Sequence, residues 1–572
     1  MLPGPGSRDR DGLVKRPVQI IAASLGLILA APAQAQVSAG QILNNLRSEQ
    51  RRQHVLPTPM PRASAPQAAS PGPAAPRTIH FVVRRIRFVG ATRRGRAALQ
   101  PLVAPYLNRR IDFATLQQAA DRVAEHYQRH GRLVHVLIPA QDITAGVVTL
   151  RIVQARLGAV VVHGAPHGDA SRMQGWIHEQ VARGKRISLP ALERGLLLLD
   201  DLPEFAVSGS LARGSEPGLS NVDLQVAPRP SLAGAASVDD YGSSSTGRTR
   251  VSAQLGVNGV LGFGTRLGLS AMHSSGTSFG QADLGVPLGD DGWRVGVDAS
   301  RMQYKVVGSA FQALALSGNT TSAGMHLSYP LLRSRPANLL LRFGWDFNAI
   351  RNSNVAGQVA DQSYDTRVGH AEVDANWLGR GINNGSLRLS AGNIGRNQGG
   401  SYNSEYDVAG NFAKLYYAFT HTQSIVGGLS GQVSLSGQFA NRNLDSSEQM
   451  YLGGPYGVPA YNSGQLPATQ GELLDLQLRQ ALPQHAQAQL FYDFGAVQTW
   501  KTNPAANNVS NHYTVQDVGL GLSWRGPHGF ALTASWAHRL GTLDPSVTSY
   551  LELNGGLASS RVWLMASLPF ED

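Results

Sequence analysis

The chain beyond residue 230 alternates between apolar and polar positions with a period of two. In AEVDANWL, residues 371–378, Glu372, Asp374 and Asn376 are separated by apolar residues, and WRVGVDAS, residues 293–300, alternates in the same way. A β-strand with one apolar and one polar face has this period. About sixteen such segments occur, with centres near residues 236, 252, 269, 282, 297, 326, 344, 371, 389, 417, 434, 477, 490, 518, 534 and 565.

These segments predict a membrane-spanning β-barrel over residues 230–572. Strands of about ten residues cross a bilayer when they are tilted, and their backbone groups pair inside hydrocarbon only if the sheet closes on itself. The number of segments is even, and only 15% of the chain is charged. The predicted fold class is therefore a membrane all-β protein, a sixteen-stranded antiparallel outer-membrane barrel with a water-filled lumen.

Residues 79–229 show a different pattern, in which strands alternate with helices. Leu116, Ala119, Val123 and Tyr127 recur at spacings of three and four and predict a helix that ends at Gly131. The strands of this first unit are IHFVVRRIRFVG, LVHVLI and VVTLRIV, and the second unit contains LGAVVVHG, the helix PALERGLLLLDDLP and the strand SNVDLQVAPRP. We therefore predict two small α/β domains, at residues 79–155 and 156–229.

The N-terminal region has three predicted parts. Residues 1–35 combine a basic start, the apolar run VQIIAASLGLILAA and a final AQA, which is typical of a cleaved export signal. Residues 36–56 predict either one short amphipathic helix, with Ile42, Leu43 and Leu46 on one side, or an exposed disordered tail. Repeated proline at residues 57–78 predicts an extended linker.

Composition and motifs exclude several kinds of catalytic chemistry. The chain has no cysteine and no Gly-rich phosphate loop of the Lys-Ser/Thr type, so thiol catalysis and a nucleotide-driven engine are not expected. GTSFG, residues 276–280, fits Gly-x-Ser-x-Gly, but no helical period follows it, as a nucleophile elbow requires. His126 and His130 are four apart on a predicted helix, without a third metal ligand in view. We predict no catalytic residue, no metal site and no cofactor.

The longest loop of the barrel region, residues 441–470, falls between the eleventh and twelfth predicted strands. It contains the Gly- and Pro-rich stretch YLGGPYGVPAY. A wide lumen is a place where irregular backbone folds inward without losing its hydrogen-bond partners. In the following segment, AQAQLFYDFG, the alternation places Phe491, Asp493 and Gly495 on the lumenal face. Asp493 is therefore a candidate anchor for an inward loop.

These residues together resemble a known family, the outer-membrane translocators of bacterial two-partner secretion (TpsB), within the superfamily of POTRA-bearing barrels. YQRHGRLVHVLIPAQDITAGVVTLRIVQARLG resembles the end of a first POTRA domain, and LPALERGLLLLDDLPEF resembles part of a second. VDDYGSSSTGRTR resembles the entry to the first barrel hairpin. Phe491, Asp493 and Gly495 match the F-x-D-x-G strand motif, and YLGGPYGVPAY resembles the inward sixth loop.

The resemblance implies a fold and a function that extend over nearly the whole mature chain. It implies two periplasmic POTRA domains that capture an unfolded exoprotein, and a sixteen-stranded pore that an N-terminal helix and the sixth loop occupy at rest. Loop anchoring is then assigned to a set of residues in the loop and on the wall, namely Gly453, Gly454, Val458, Tyr461, Phe491, Asp493 and Gly495.

Two positions depart from the family pattern. The family's loop tip reads Val-Arg-Gly-Tyr or Val-Arg-Ala-Tyr, and its Arg meets the strand Asp, whereas this chain has Pro459 in place of that Arg. We therefore predict that Arg479, beside Asp475 on the twelfth strand, or another barrel Arg takes over, or else that the loop is held more loosely. The chain also continues past Phe570 with two acidic residues, where such barrels usually end on an aromatic residue.

The expected function is ATP-independent secretion of a large adhesin or haemolysin through the outer membrane, by a monomer that contacts lipid and is inserted by the barrel assembly machinery. A barrel assembly factor and, less favoured, a diffusion porin are the alternatives. Residues 36–110 contain thirteen arginines and one acidic residue, Glu49. This basic run is either a solvated face or a surface that attracts the passenger in a salt-dependent way, and nucleic acid is not expected as a partner.

Overall fold

The structure, a computed structural model, describes residues 37–53, 56–60, 80–166, 168–216, 218–308, 315–354, 361–396, 406–505 and 507–572. The predicted export signal and most of the predicted linker lie outside these residues. Within the described ranges, the helices are too short or too polar to pass through a membrane.

A short helix and two α/β domains precede the barrel. Helix α1 spans Ala39–Gln53. The first domain contains β1 (Phe81–Val83), β2 (Arg85–Val89), α2 (Arg93–Val103), β3 (Arg109–Ile111), α3 (Phe113–Arg129), β4 (Val134–Leu137) and β5 (Val147–Gln154). The second contains β6 (Arg156–His163), α4 (Asp169–Gln180), α5 (Leu189–Asp200), β7 (Phe205–Arg213) and β8 (Leu219–Pro228).

Each α/β domain buries one face of a three-stranded sheet under its helices. The sheet orders are β2-β5-β4 and β6-β8-β7, and each sheet pairs one parallel and one antiparallel neighbour with its central strand. In α3 the predicted stripe is buried, with Leu116, Ala119 and Val123 at most 2% exposed. The sequence pattern missed α2 and α4. Their apolar residues are fewer, and they cover a core that the neighbouring elements already define.

Sixteen antiparallel strands form the closed barrel. They are β9 (Leu232–Asp239), β10 (Arg250–Asn258), β11 (Arg266–Ser274), β12 (Thr277–Leu288), β13 (Trp293–Lys305), β14 (Leu316–Arg333), β15 (Ala337–Asn354), β16 (Gln362–Leu378), β17 (Ile382–Ile394), β18 (Gly410–Val426), β19 (Leu429–Ala440), β22 (Gln470–Leu482), β23 (Ala486–Gln498), β24 (His512–Arg525), β25 (Ala531–Leu540) and β26 (Ser560–Glu571). Every predicted centre falls inside one of these strands, and β26 pairs with β9 to close the cylinder. The predicted fold class is confirmed.

The barrel wall shows the predicted alternation of apolar and polar faces. On β13, Val295 and Val297 are 39% and 52% exposed on the outer face, whereas Met302 is fully buried on the inner face. On β24, Leu520 and Leu522 also point outward and are exposed. Apolar side chains that would be costly in water are stable against lipid. The strand pattern thus places the outer face in hydrocarbon and leaves the inner face to line the lumen.

The second α/β domain is joined to one end of the barrel at the turn between β10 and β11 and at the end of β14. Phe263, in the turn between β10 and β11, lies in the core of the domain, with its ring centroid 5.8 Å from that of Phe205. Arg333 at the end of β14 forms an ion pair with Asp201 at 2.7 Å. Glu204 accepts a hydrogen bond from the Gly264 amide, and burial raises the pKa of its carboxyl because it disfavours the ionised form. The domain is therefore attached by packing as well as by the chain.

Replacing Phe263 with alanine is expected to loosen this joint. The side chain is only 6% exposed, and loss of a buried aromatic ring typically costs about 3 kcal/mol or more. The variant F263A should expose the second α/β domain to proteolysis at lower protease concentration while the barrel stays folded. Leu261 lies on the same turn but is 68% exposed, so L261A is the matched control. Equal protease sensitivity of the two variants would contradict the proposed packing role.

Candidate functional site

The loop between β19 and β22 folds into the barrel. It contains two short antiparallel strands of two residues each, β20 (Met450–Tyr451) and β21 (Pro467–Ala468), which pair with each other. Its apolar side chains form a buried cluster with the wall and with α6 (Pro545–Leu553), a helix in the connection between β25 and β26 that the sequence pattern missed. Loop residues of the cluster are Met450, Leu452, Val458, Ala460, Tyr461, Leu466 and Ala468. The loop is thus packed as a small apolar core inside the lumen.

Backbone hydrogen bonds give the loop its tight shape. The Val458 amide donates to the Leu452 carbonyl at 2.7 Å, and the Gly454 amide donates to the Tyr461 carbonyl at 3.1 Å. Gly454 has a φ of +109°, a conformation that side chains with a Cβ rarely adopt. A Cβ at Gly453 would lie 2.5 Å from the Asn462 carbonyl oxygen. Both glycines are therefore required by the fold of the loop, as YLGGPYGVPAY suggested.

The tip of the loop contacts the wall through hydrogen bonds made by its backbone. The Ala460 amide donates to Oδ2 of Asp517 on β24 at 2.6 Å. The indole N–H of Trp563 on β26 donates to the Pro459 carbonyl oxygen at 2.7 Å. Tyr461 beside them is 1% exposed. A backbone amide and a backbone carbonyl thus hold the tip at the position where the family carries an arginine.

The wall beneath the tip carries a row of acidic residues. Asp475, Asp493 and Asp517 lie opposite one another in register on β22, β23 and β24, and Arg539 on β25 continues the row. Asp493 and Asp517 are 2% and 0% exposed. Among the described residues, no ion pair within 4.0 Å joins any of these three carboxylates to a basic side chain.

The structure places the predicted substitute cation elsewhere. The Arg479 guanidinium donates from Nε and Nη2 to Oε1 of Gln477, at 2.8 and 2.6 Å. The amide of Gln477 in turn donates to Asp475 at 2.8 Å. The prediction that Arg479 pairs with Asp493 is therefore wrong. Asp493 lies opposite Asp475, which is four residues from Arg479 along β22, about 13 Å at about 3.3 Å per residue.

The other predicted residues come together around the loop tip. Val458, Tyr461 and Phe491 belong to one buried cluster, and Gly495 leaves room for Leu452 and Val458, since a Cβ there would lie 3.1 Å from Leu452 and 3.3 Å from Val458. Their role as anchors stays a prediction. Sequence reasoning missed Asp517 and Trp563. The alternation along β24 and β26 predicts both as lumenal, but only the strand register shows that they face the tip.

Helix α1 occupies the lumen beside the loop. Ala39, Leu43 and Leu46 are buried in a cluster with barrel side chains that include Met302 and Ile350. The side chains of polar positions bind backbone carbonyls of the loop, with Gln41 donating to Gly464, Asn44 to Gln449 and Arg52 to Tyr456. Of the two predictions for this segment, the amphipathic helix is the one observed. The helix lies between wall and loop and contacts both.

Charged groups attach α1 to the wall at two points. One is Arg47, whose guanidinium lies 4.0 Å from Asp346 on β15. Arg250, at the start of β10, forms ion pairs with Glu49 at 3.0 Å and with Asp239 at 2.7 Å. Glu49, the only acidic residue among residues 36–110, thus lies in the lumen and is paired there with Arg250. A guanidinium that is 90% buried is stable only when anions neutralise it, so Glu49 and Asp239 act together. Breaking the contact between Glu49 and Arg250 would leave Glu49 without its ion pair, while Arg250 would keep Asp239.

The chain after α1 leaves the lumen at the end where the α/β domains lie. The Pro57 carbonyl oxygen accepts hydrogen bonds from the side-chain amides of Asn338 and Asn376, at 3.3 and 2.9 Å. The Met60 amide donates to the Arg335 carbonyl, in the turn before β15. Asn338 and Asn376 are buried and lie at the ends of β15 and β16 near the second domain. The helix is therefore tethered at the periplasmic mouth.

The motifs considered for catalysis lie in unsuitable settings. Ser278 of GTSFG lies within β12, so the strand-to-helix turn of a nucleophile elbow is not formed. The rings of His126 and His130 are 4.5 Å apart on α3, and Nδ1 of His130 is hydrogen-bonded to the His126 carbonyl oxygen at 2.7 Å. Within the described ranges, no group of three or more His, Asp or Glu side chains has an arrangement that could hold a metal ion.

Comparison with known proteins places the chain among outer-membrane transporters. The chain is 24% identical to the heme/hemopexin transporter protein HuxB of Haemophilus influenzae (strain 86-028NP), over 77% of this chain and 80% of that protein. It is 25% identical to the outer membrane transporter CdiB of Dickeya dadantii (strain 3937), over 67% and 69%. The solved structure of CdiB from Escherichia coli matches 94% of this chain and 99% of its own, with a TM-score of 0.64 at 19% identity, which shows a shared fold.

Two family models match the chain. Residues 81–155 match the POTRA domain of ShlB type, which corresponds to the first α/β domain. Residues 218–523 match the model for the haemolysin secretion/activation protein ShlB/FhaC/HecB, which covers more than half of the chain and includes the inward loop. The chain therefore belongs to the ShlB/FhaC/HecB family of haemolysin secretion/activation proteins, the outer-membrane translocators of two-partner secretion.

Proposed function

We propose that α1 and the inward loop form a removable stopper, and that an unfolded exoprotein crosses the outer membrane through the space that α1 vacates. The protein is a two-partner secretion translocator of the outer membrane, with its α/β domains in the periplasm, and it works with a secreted exoprotein. The observation that supports the stopper is the position of α1. It lies in the lumen, binds the loop through three side chains, and is tethered to the periplasmic mouth at Pro57.

The energy for transport comes from outside the chain. The sequence has no nucleotide-binding loop, and the bacterial outer membrane has no ATP supply on either side. An exoprotein that emerges unfolded and then folds at the cell surface buries apolar area with each added segment. Because a folded segment cannot re-enter the pore, folding makes each step of transport effectively irreversible. The passenger, an adhesin or haemolysin in our proposal, thus supplies the driving force.

The α/β domains capture the passenger through exposed strand edges. β2 and β4 are the outer strands of the first sheet, and β6 and β7 are the outer strands of the second. An extended peptide can add to such an edge through main-chain hydrogen bonds, which tolerate many sequences. The β2 edge is also basic, since Arg85 and Arg87 are exposed on either side of the buried Ile86. We propose that these arginines favour a passenger segment that is acidic or rich in acceptors.

Co-expression with a candidate exoprotein, such as a very large exported protein encoded by a neighbouring gene, tests the proposal. Release of the exoprotein into the medium is expected to require this chain. The double variant R85Q/R87Q should reduce release several-fold at physiological salt, because the steering charges are lost. Arg129 is exposed on α3, 3.5 Å from Glu125, and is not part of a strand, so R129Q is the control.

Two outcomes would contradict the proposal. Release that is equal with and without this chain would exclude the secretion function for that passenger. Normal release by R85Q/R87Q, or passenger binding to the full-length protein that does not change between low and high salt, would exclude the electrostatic part. In the second case, edge-strand capture through main-chain hydrogen bonds alone would remain.

Other classes of outer-membrane barrel fit less well. A barrel assembly factor shares the architecture, but the stopper helix with its proline linker and the family match both favour secretion. A diffusion porin needs neither the α/β domains nor a plugged lumen. We further propose that the protein acts as a monomer in lipid, since β26 and β9 close the barrel within one chain. Phe570 on β26 is 44% exposed to lipid and is the proposed signal for the barrel assembly machinery.

A further inference from the structure

A cavity of about 610 Å³ lies at the rim of the barrel opposite the α/β domains, which is the extracellular end. Four segments form its walls: the turn between β9 and β10, the inward loop at Asn462, the connection between α6 and β26, and the start of β26. The side-chain amide of Asn462 donates to the carbonyl oxygens of Gly555 and Gly556, at 2.7 and 3.1 Å. These bonds fix two of the walls to each other, so the cavity is part of the folded rim.

The cavity contains a buried arginine without a partner. Arg561 on β26 lines the cavity and is 9% exposed. Its Nε is buried and has no hydrogen-bond acceptor among the residues that the structure describes. Its closest aromatic contact is the ring of Trp563, with the guanidinium carbon 5.5 Å from the centroid. A buried guanidinium is strongly destabilising unless an anion or several acceptors compensate it.

The charged residues that line the cavity give it a net positive charge. Arg248 also lines it and is the second guanidinium. Asp240 is the single acidic residue of the lining, 3.8 Å from Arg248. Oδ1 of Asp240 accepts a hydrogen bond from the Leu564 amide at 2.8 Å, which attaches the β9 turn to β26. One carboxylate thus faces two guanidinium groups, and one positive charge stays uncompensated.

The lining also shows how a ligand could reach the site. Val562 and Leu564 belong to it, and both are on the outer face of β26, where they are 49% and 54% exposed. The cavity therefore borders the lipid-facing wall at the level of the outer leaflet. A guanidinium group binds phosphate and carboxylate oxygens through its planar fork of donors. In the bacterial outer membrane, the outer-leaflet glycolipid presents phosphate groups at this level.

We propose that Arg561 and Arg248 form a binding site for a phosphate group at the extracellular rim, next to the seam between the first and last strands. The phosphate group of an outer-leaflet lipid or a free phosphate ion has the chemistry that the site recognises. Bound there, it would neutralise the buried Arg561 and connect the β9 turn, the inward loop and β26. The site thus lies at the extracellular mouth of the barrel, beside the inward loop, and it does not depend on the identity of the passenger.

Lipid binding to the full-length protein tests this site. In native mass spectrometry, the purified protein is expected to bind diphosphorylated lipid A about tenfold more tightly than lipid A stripped of phosphate, the size of effect that one charge-assisted hydrogen bond gives. R561Q should lose most of this preference, R561K should keep part of it, and R248Q should show an intermediate loss. Arg525 is exposed at the periplasmic end of β24, so R525Q is the control.

Competition with inorganic phosphate distinguishes a lipid phosphate from a free phosphate ion as the ligand of the site. If inorganic phosphate displaces the lipid in the millimolar range, the site accepts free phosphate as well; if it does not, the lipid is the ligand. Equal binding of phosphorylated and dephosphorylated lipid A, or unchanged preference in R561Q, would overturn the proposal. Heat-modified migration in gels verifies that each variant is folded. Should R561Q not fold, R561K and R248Q carry the test, and normal preference in both would refute the site.

Discussion

Deleting residues 37–53 is expected to raise the ion conductance of the protein several-fold in planar bilayers. These residues form α1, and a helix with its side chains is about 10 Å across, which is a large part of the free lumen of a sixteen-stranded barrel. The inward loop stays in place, so the increase should be limited. Conductance is measured on single channels at equal protein orientation and salt concentration.

A single substitution that weakens the contacts of α1 should have a smaller effect than the deletion. E49Q removes the charge that faces Arg250 and should increase the frequency of channel openings without deleting the helix. Ser48 is on the same turn and donates only to the Asn44 carbonyl within the helix, so S48A is the matched control. Conductance that is unchanged on deletion of 37–53 would mean that the lumen is closed by the loop alone. The proposed role of α1 as part of a stopper would then be wrong.

Replacing Tyr461 with alanine is expected to release the tip of the inward loop and to abolish secretion. Tyr461 is 1% exposed within the apolar cluster of the lumen, and truncation of such a ring typically costs about 3 to 5 kcal/mol. Part of this loss of free energy destabilises the docked position of the loop, in which the ring is packed. The loop of Y461A should therefore be cleaved by protease added outside intact cells, where the wild-type loop is protected.

The structure supplies an unusually clean control for this variant. The Tyr461 hydroxyl has no hydrogen-bond partner among the described residues, so Y461F keeps the packing and removes a buried polar group without a partner. Y461F is expected to secrete normally and to be at least as stable as the wild type. Loss of secretion in Y461F would contradict this expectation. It would show that secretion depends on the hydroxyl group more than on the packing of the ring.

The tip of the inward loop is attached to the wall in a different way from the family pattern. An arginine at the tip would hold the loop through a buried ion pair, which is strong only while both charges stay in place. Pro459 removes that charge, and the Ala460 amide and the Pro459 carbonyl oxygen take over, bound to Asp517 and Trp563. Apolar packing around Tyr461 then contributes most of the attachment. The attachment of this tip should consequently depend little on salt concentration.

Much of the candidate site was accessible from the sequence, because glycine conformation and strand alternation are local properties. Gly454 lies at a positive φ, and Phe491, Asp493 and Gly495 face inward by parity along a single strand. Partner choice was not accessible in the same way. Arg479 was one of the alternatives predicted for Asp493, beside another barrel Arg or a more loosely held loop, but its side chain is held by Gln477 two residues away.

The sequence by itself determined the number of strands, their inward and outward faces and the order of the domains. These properties follow from a period of two and from turn residues, and they need no knowledge of distant contacts. Only the tertiary structure decided what the loop tip binds, how α1 sits and where Arg561 is left without a partner. Asp517 and Trp563 lie 57 and 104 residues beyond the atoms they contact. Closure of the barrel brings such positions together, and it depends on the register of all sixteen strands at once.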